Sequence, residues 1–175
     1  MSNPTHAELA RRVGHAAQLS GHFRLRSGLT ATTYFDKYQF ESDPELLAAV
    51  AQHMIPLVPA DTDVLAGLEL GGVPVATALS LATGIPAAFV RKQAKDYGTA
   101  RLAEGSAIEG HQVTVVEDVV TTGGQVEAST TDLRERGAVV STVLCVIDRQ
   151  QGGAQTLADI GLDLRALFTS DDLTL

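Results

Sequence analysis

From residue 63 onward the chain alternates short, unbroken apolar runs with longer mixed segments. The run "DVLAGL" (63–68) precedes "VPVATALSLAT" (73–83), which Gly84 stops. "AAFV" (87–90) precedes a charged stretch. "VTVVE" (113–117) precedes "GQVEASTTDLRER" (124–136), stopped by Gly137. "VVSTVLCVID" (139–148) precedes "GAQTLADIG" (153–161), and "LDLRALFT" (162–169) closes the series. The apolar runs are continuous and not alternating, as expected of parallel strands covered on both faces. The mixed segments read as helices with glycine stops. The pattern predicts an α/β fold, a doubly wound, mostly parallel open sheet.

The first sixty residues read differently. Thr5 and Glu8 stand in capping-box spacing and predict a helix over about 5–19. "HFRLRSGLTATTYFDKY" (22–38) predicts an antiparallel pair turning at Ser27-Gly28. "SDPELLAAVAQHMIPLV" (42–58) predicts a second helix capped by Ser42, with Pro44 in its first turn. Residues 1–40 are expected to form a separate small cap at most on one domain spanning 1–175. The segment "RKQAKDYGTARLAEGSAIEG" (91–110) breaks the rhythm: it is long, charged and glycine-containing, as lids are.

Composition narrows the function. A formal charge of −8 disfavours non-specific nucleic-acid binding. No apolar run reaches membrane-spanning length, and the N-terminus has no signal-peptide core, so a cytoplasmic location is expected. Cys145 is the single cysteine, which leaves no internal disulfide; within "STVLCVI" it reads as a small buried hydrophobe. None of the five histidines shows metal-ligand spacing.

The chemistry concentrates in "VTVVEDVVTTGGQ" (113–125). It puts Glu117 and Asp118 at the carboxyl end of a strand, where open α/β sheets bind ligands. Thr121, Thr122, Gly123 and Gly124 then form a hydroxyl- and glycine-rich turn into a helix. Such a turn suits a phosphate monoester. Carboxylates beside a phosphate cradle make sense as acceptors for neutral hydroxyls, and a ribose 5-phosphate supplies both groups. Arg91, Lys92 and Lys95 are cations suited to a pyrophosphate, and Gly71-Gly72 in "GLELGGVPVA" is a second strand-to-helix turn. A Walker A motif and a dinucleotide fingerprint are both missing.

These residues resemble a known family. "VVEDVVTTGG" resembles the phosphoribosyl pyrophosphate (PRPP) signature of type I phosphoribosyltransferases. "VRKQAKDYGTARLAEG" resembles the catalytic loop of the orotate phosphoribosyltransferases within them. "SGLTATTYFD", "VIDRQQGG" and "LRALFTSDDL" extend the match over nearly the whole chain. The resemblance implies transfer of the phosphoribosyl group from PRPP to orotate, with Mg2+ held through PRPP and water and no direct protein ligand. It implies PRPP contacts from Arg26, Gly71, Arg91, Lys92, Lys95, Tyr97, Glu117, Asp118, Val119, Val120, Thr121, Thr122, Gly123, Gly124 and Gln125. Lys95, Lys92, Arg91 and Asp118 would be catalytic. Thr121, Arg149, Tyr34 and Phe35 would meet orotate. Arg91 would cross into the partner's site of a homodimer. The chain departs from the family pattern at Arg26, Gly71, Tyr97 and Gln151. A transferase for another nucleobase and a non-catalytic PRPP sensor are the alternatives to an orotate enzyme.

Overall fold

The computed structural model describes residues 4–24, 28, 30–92 and 102–173. Arg26, Lys95 and Tyr97 lie outside them. Helix α1 (His6–Ala17) starts at Thr5 with the expected capping box: Thr5 accepts from the Glu8 N–H, and Glu8 accepts from the Thr5 N–H. Strands β1 (Gln18–Arg24) and β2 (Thr30–Phe35) form the expected antiparallel pair, a two-stranded sheet of its own. A four-residue helix, α2 (Tyr38–Glu41), follows, which the sequence pattern did not suggest. It is set by Asp36, whose carboxylate accepts from the Tyr38 N–H and from Gln39 Nε2. The Asp36 N–H itself donates to the Ala17 carbonyl, tying the hairpin's exit to the end of α1.

Helix α3 (Pro44–Met54) is capped by Asp43 and not by Ser42. The Asp43 carboxylate accepts from the N–H groups of Glu45 and Leu46, which a residue one position earlier would miss. The alternation then proceeds as expected: β3 (Val64–Leu68), α4 (Gly72–Thr83), β4 (Ala87–Val90), β5 (Ala103–Gly105), β6 (Gln112–Val120), α5 (Gly124–Glu135), β7 (Val139–Asp148), α6 (Gly153–Asp159) and β8 (Asp163–Thr169). The sheet order is β5-β4-β3-β6-β7-β8. All neighbours are parallel except β5, a short antiparallel edge strand inside the stretch expected to be wholly lid.

Both faces of the sheet are covered, so the strands need apolar residues on both. Leu65, Val116, Leu144 and Phe168 pack under α1, α3 and α4, with Leu9, Val13, Val50 and Leu79. Ala66, Val115, Val143 and Cys145 pack under α5 and α6, with Val126, Leu133 and Leu157. The first helix is therefore part of the main core. It also meets the C-terminal turn (Asp171–Leu173): a Cβ on Gly14 would stand 3.0 Å from the Leu173 carbonyl oxygen.

The arrangement brings the carboxyl ends of β3, β6 and β7 together at one edge. Strand β6 runs three residues beyond Glu117, to Val120. The acids lie inside the hydrogen-bonded ladder and not at its end, with Glu117 opposite Cys145.

Candidate active site

The turn after β6 is built for a small anion. Thr121 and Thr122 are exposed, and Gly123 adopts φ 84°, a left-handed conformation that suits glycine. The first N–H groups of α5 have no carbonyl within the helix to bond, so they are free to meet an anion. Backbone packs closely behind this turn. A Cβ on Gly153 would come within 2.6 Å of the Thr121 carbonyl oxygen.

Arg149 stands beside the same turn. Its N–H donates to the Val120 carbonyl (2.8 Å), and its guanidinium lies over the Phe35 ring, 5.2 Å from the centroid. Its Nε is buried and has no hydrogen-bond partner among the described residues. One Asp148 oxygen accepts from the Gln150 N–H. Tyr34, the other residue expected at a planar base, is half exposed and stacks against Phe23 at 5.4 Å.

The second turn, after β3, carries a cis peptide between Glu69 and Leu70. The Glu69 carboxylate accepts from the Lys92 N–H (3.2 Å), linking this turn to the start of the charged segment. Arg91 faces Glu104 of β5 at 3.8 Å, and its N–H donates to Leu102. Gly71 touches Asp118 so closely that a Cβ there would fall on the carboxylate.

The acid pair is not an open acceptor. Asp118 is 0% exposed and Glu117 is 8% exposed. Asp118 Oδ1 accepts from the Val119 N–H (2.6 Å), and its Oδ2 is paired with the Lys37 ammonium. Glu117 accepts from the Asp118 N–H (3.0 Å). Glu41, from α2, is a third carboxyl in this cluster and is buried too. Burial pushes Glu117 well up, and the neighbouring Asp118 adds to the shift. Burial also pulls Asp118 upward, but the neighbouring Glu117 and Glu41 carboxyls and the Lys37 ammonium outweigh it and hold Asp118 below the ordinary range. Burial, then Asp118, raises Glu41 to about 9. The cluster thus pairs the Lys37 ammonium with the Asp118 carboxylate, while burial pushes Glu41 and Glu117 toward their neutral forms. Neither Lys37 nor Glu41 stood out in the sequence, where "DKYQFE" (36–41) looks like an ordinary polar stretch.

Comparison with known proteins identifies the family. The phosphoribosyl transferase domain model matches residues 39–162. An orotate phosphoribosyltransferase of Nocardioides sp. is 53% identical over 167 residues, covering 95% of this chain and 93% of that protein. The chain belongs to the orotate phosphoribosyltransferase family. A second such enzyme, from Halobacterium salinarum, is 45% identical over 94% of this chain and 93% of its own length. The crystal structure of the Mycobacterium tuberculosis orotate phosphoribosyltransferase in complex with PRPP superposes with a TM-score of 0.85. It is 34% identical and covers 98% of this chain and 100% of its own.

Glu41 is a buried acid, and it carries a stability prediction. Its carboxyl binds a proton more tightly folded than unfolded, so between about pH 4.5 and 9 folding takes up a proton and stability falls as pH rises. Glu41→Gln removes that titration. We expect its melting temperature to gain on the parent between pH 5 and pH 8 by about 2–8 °C, as ~1–2 kcal/mol of relieved linkage gives in a chain of this size. Calorimetric melts at the two pH values measure it; an unchanged difference would mean that Glu41 is ionised in the fold.

Proposed function

We propose that this protein transfers the phosphoribosyl group of PRPP to N1 of orotate, releasing pyrophosphate and forming orotidine 5′-monophosphate in the synthesis of UMP. The observation that carries the choice of base is Arg149, a guanidinium stacked on Phe35 beside the phosphate turn with a buried N–H unpaired. Orotate is a planar ring bearing a carboxylate, and guanidinium binds carboxylates through two parallel hydrogen bonds. The PRPP complex of a relative supports the same substrate for the remaining residues.

In this reading Thr121 to Gln125 hold the 5′-phosphate, and the buried Glu117 and Asp118 meet the ribose hydroxyls once Lys37 gives way. Arg91, Lys92 and Lys95 offset charge on the departing pyrophosphate. Tyr34 and Phe35 flank the base, and Thr121 also meets it. No protein nucleophile is needed, because orotate's ring nitrogen attacks C1 directly and the protein aligns the reactants and steadies the leaving group. Among the described residues no group of three or more His, Cys, Asp or Glu side chains converges to hold a metal. In this reading a Mg2+ ion would be carried on the oxygens of PRPP and water, where it would neutralise pyrophosphate charge. We further propose one domain whose first 40 residues and C-terminal segment form a hood, a homodimer sharing Arg91 across its interface, and a cytoplasmic site of action. No helix among the described residues is long and apolar enough to cross a membrane.

The test is loss of orotate absorbance in the ultraviolet with PRPP and Mg2+. The parent should consume orotate and leave neutral nucleobases untouched. Lys95→Ala should lower turnover about 100-fold or more, as loss of one charge-stabilising group does, with the melting temperature unchanged. Binding of PRPP without loss of orotate would sink the base assignment.

A further inference from the structure

The least expected contact in the molecule joins the N-terminal region to the PRPP motif. The Lys37 ammonium sits on Asp118 Oδ2, and with the Gly71 turn it seals that carboxylate from solvent. Lys37 is held there by its own surroundings. It immediately precedes α2, whose start Asp36 fixes, and its ammonium lies 5.3 Å from the Tyr38 ring centroid. The next residues of α2 send Phe40 into the main core and Glu41 into the carboxyl cluster.

We propose that Lys37 is a positioning residue for the ribose of PRPP: its ammonium holds the buried Asp118 carboxylate in place from the hood side. The proposal rests on the ribose role given above to Asp118.

Three carboxyls, from Glu41, Glu117 and Asp118, share one ammonium. Two unpaired carboxylates cannot sit together away from water, so protons are retained where no cation stands. Lys37 determines which carboxyl stays charged. It is Asp118, the one that also accepts the Val119 N–H. A charged Asp118 can accept hydrogen bonds from ribose hydroxyls; a protonated one has a hydrogen to give and one fewer site to accept. Because Asp118 is sealed, ribose reaches it as the lysine head draws back. The flexible four-carbon stem permits that while leaving the charge nearby. Other titratable groups facing this cluster are Asp36 and Tyr38 on the hood side and the Cys145 thiol on β7, none of them a second cation.

Binding of PRPP with Mg2+, and no base, measured calorimetrically at pH 6.5 and pH 9, tests this apart from the acceptor question. Lys37→Met should weaken PRPP binding about tenfold or more at pH 6.5, the effect of roughly one unit of proton competition at Asp118. The deficit relative to the parent should narrow at pH 9, where Asp118 ionises unaided. Lys37→Arg should restore most of the affinity. An equal deficit at both pH values would mean a structural role only, and unchanged or tighter binding would mean that Lys37 merely obstructs the site; each overturns the proposal. If Lys37→Met alone does not fold, Asp118→Asn with and without Lys37→Met replaces it. Lys37→Met should then change PRPP affinity by less than about twofold, since a residue acting through Asp118 has nothing left to hold. A tenfold further loss in that background overturns the proposal. A parent that binds PRPP but spares orotate would refute the base assignment and leave Lys37 in its role. A parent that binds no PRPP would refute both.

Discussion

Gly71→Ala should reduce turnover about 100-fold or more while leaving a folded protein. The position has ordinary helical angles, φ −71° and ψ −29°, so alanine brings no backbone strain. What it brings is a methyl group placed on the Asp118 carboxylate. Either the turn after β3 lifts away or Asp118 rotates off Lys37 and the Val119 N–H. Both move a group meant to meet PRPP by about an ångström, a displacement that costs about 10²-fold in rate when reacting groups must align. Steady-state kinetics with a parallel melting curve measure it. Near-parental turnover would show that the turn yields at no cost and is not part of the site. The neighbouring Gly72 differs: a Cβ there falls on the Val116 carbonyl in the sheet, so its substitution should appear mainly as lost stability.

Arg149→Leu should lower kcat/KM for orotate by about 10² to 10³ and leave PRPP affinity within about threefold. A charge-assisted pair to a carboxylate is roughly twice as strong as a neutral hydrogen bond, and leucine keeps the apolar contact with Phe35 but none of the donors. Arg149→Lys should recover only part of the loss, because an ammonium cannot reproduce the planar fork over the ring. Orotate saturation curves at fixed PRPP, with PRPP affinity measured separately, distinguish the outcomes. A matching loss of PRPP affinity would place Arg149 at the phosphate turn instead of the base.

The sheet was legible because a strand buried on both faces is written as an unbroken apolar run. "AAFV" and "VVSTVLCVID" appear as β4 and β7 at the same residues. Glycine stops served equally well: Gly84 ends α4 at φ 77°. Short elements fixed by side-chain hydrogen bonds were not legible. Asp36 sets α2 through two contacts that any Asp-x-x-Gln string would offer, and most such strings are loops. The phosphate turn was visible because its chemistry is contiguous. The Lys37–Asp118 pair was not, because the two lie 81 positions apart and nothing local marks either as the other's partner. The acids themselves were read as acceptors for ligand hydroxyls at a strand's end. The ladder to β7 continues past them, and that burial fixes their protonation.

Cys145 lies mid-sheet on β7, 0% exposed, opposite Glu117. Burial, with Asp148 and Glu117 nearby, pushes its thiol far above the range in which thiolate forms. Maleimides and iodoacetamides should therefore leave the native chain unlabelled. A single new cysteine at an exposed position such as Thr122 would then carry a fluorophore without competing signal. One reporter beside the phosphate turn would follow ligand arrival in real time, in a protein that has no tryptophan of its own to serve as a probe.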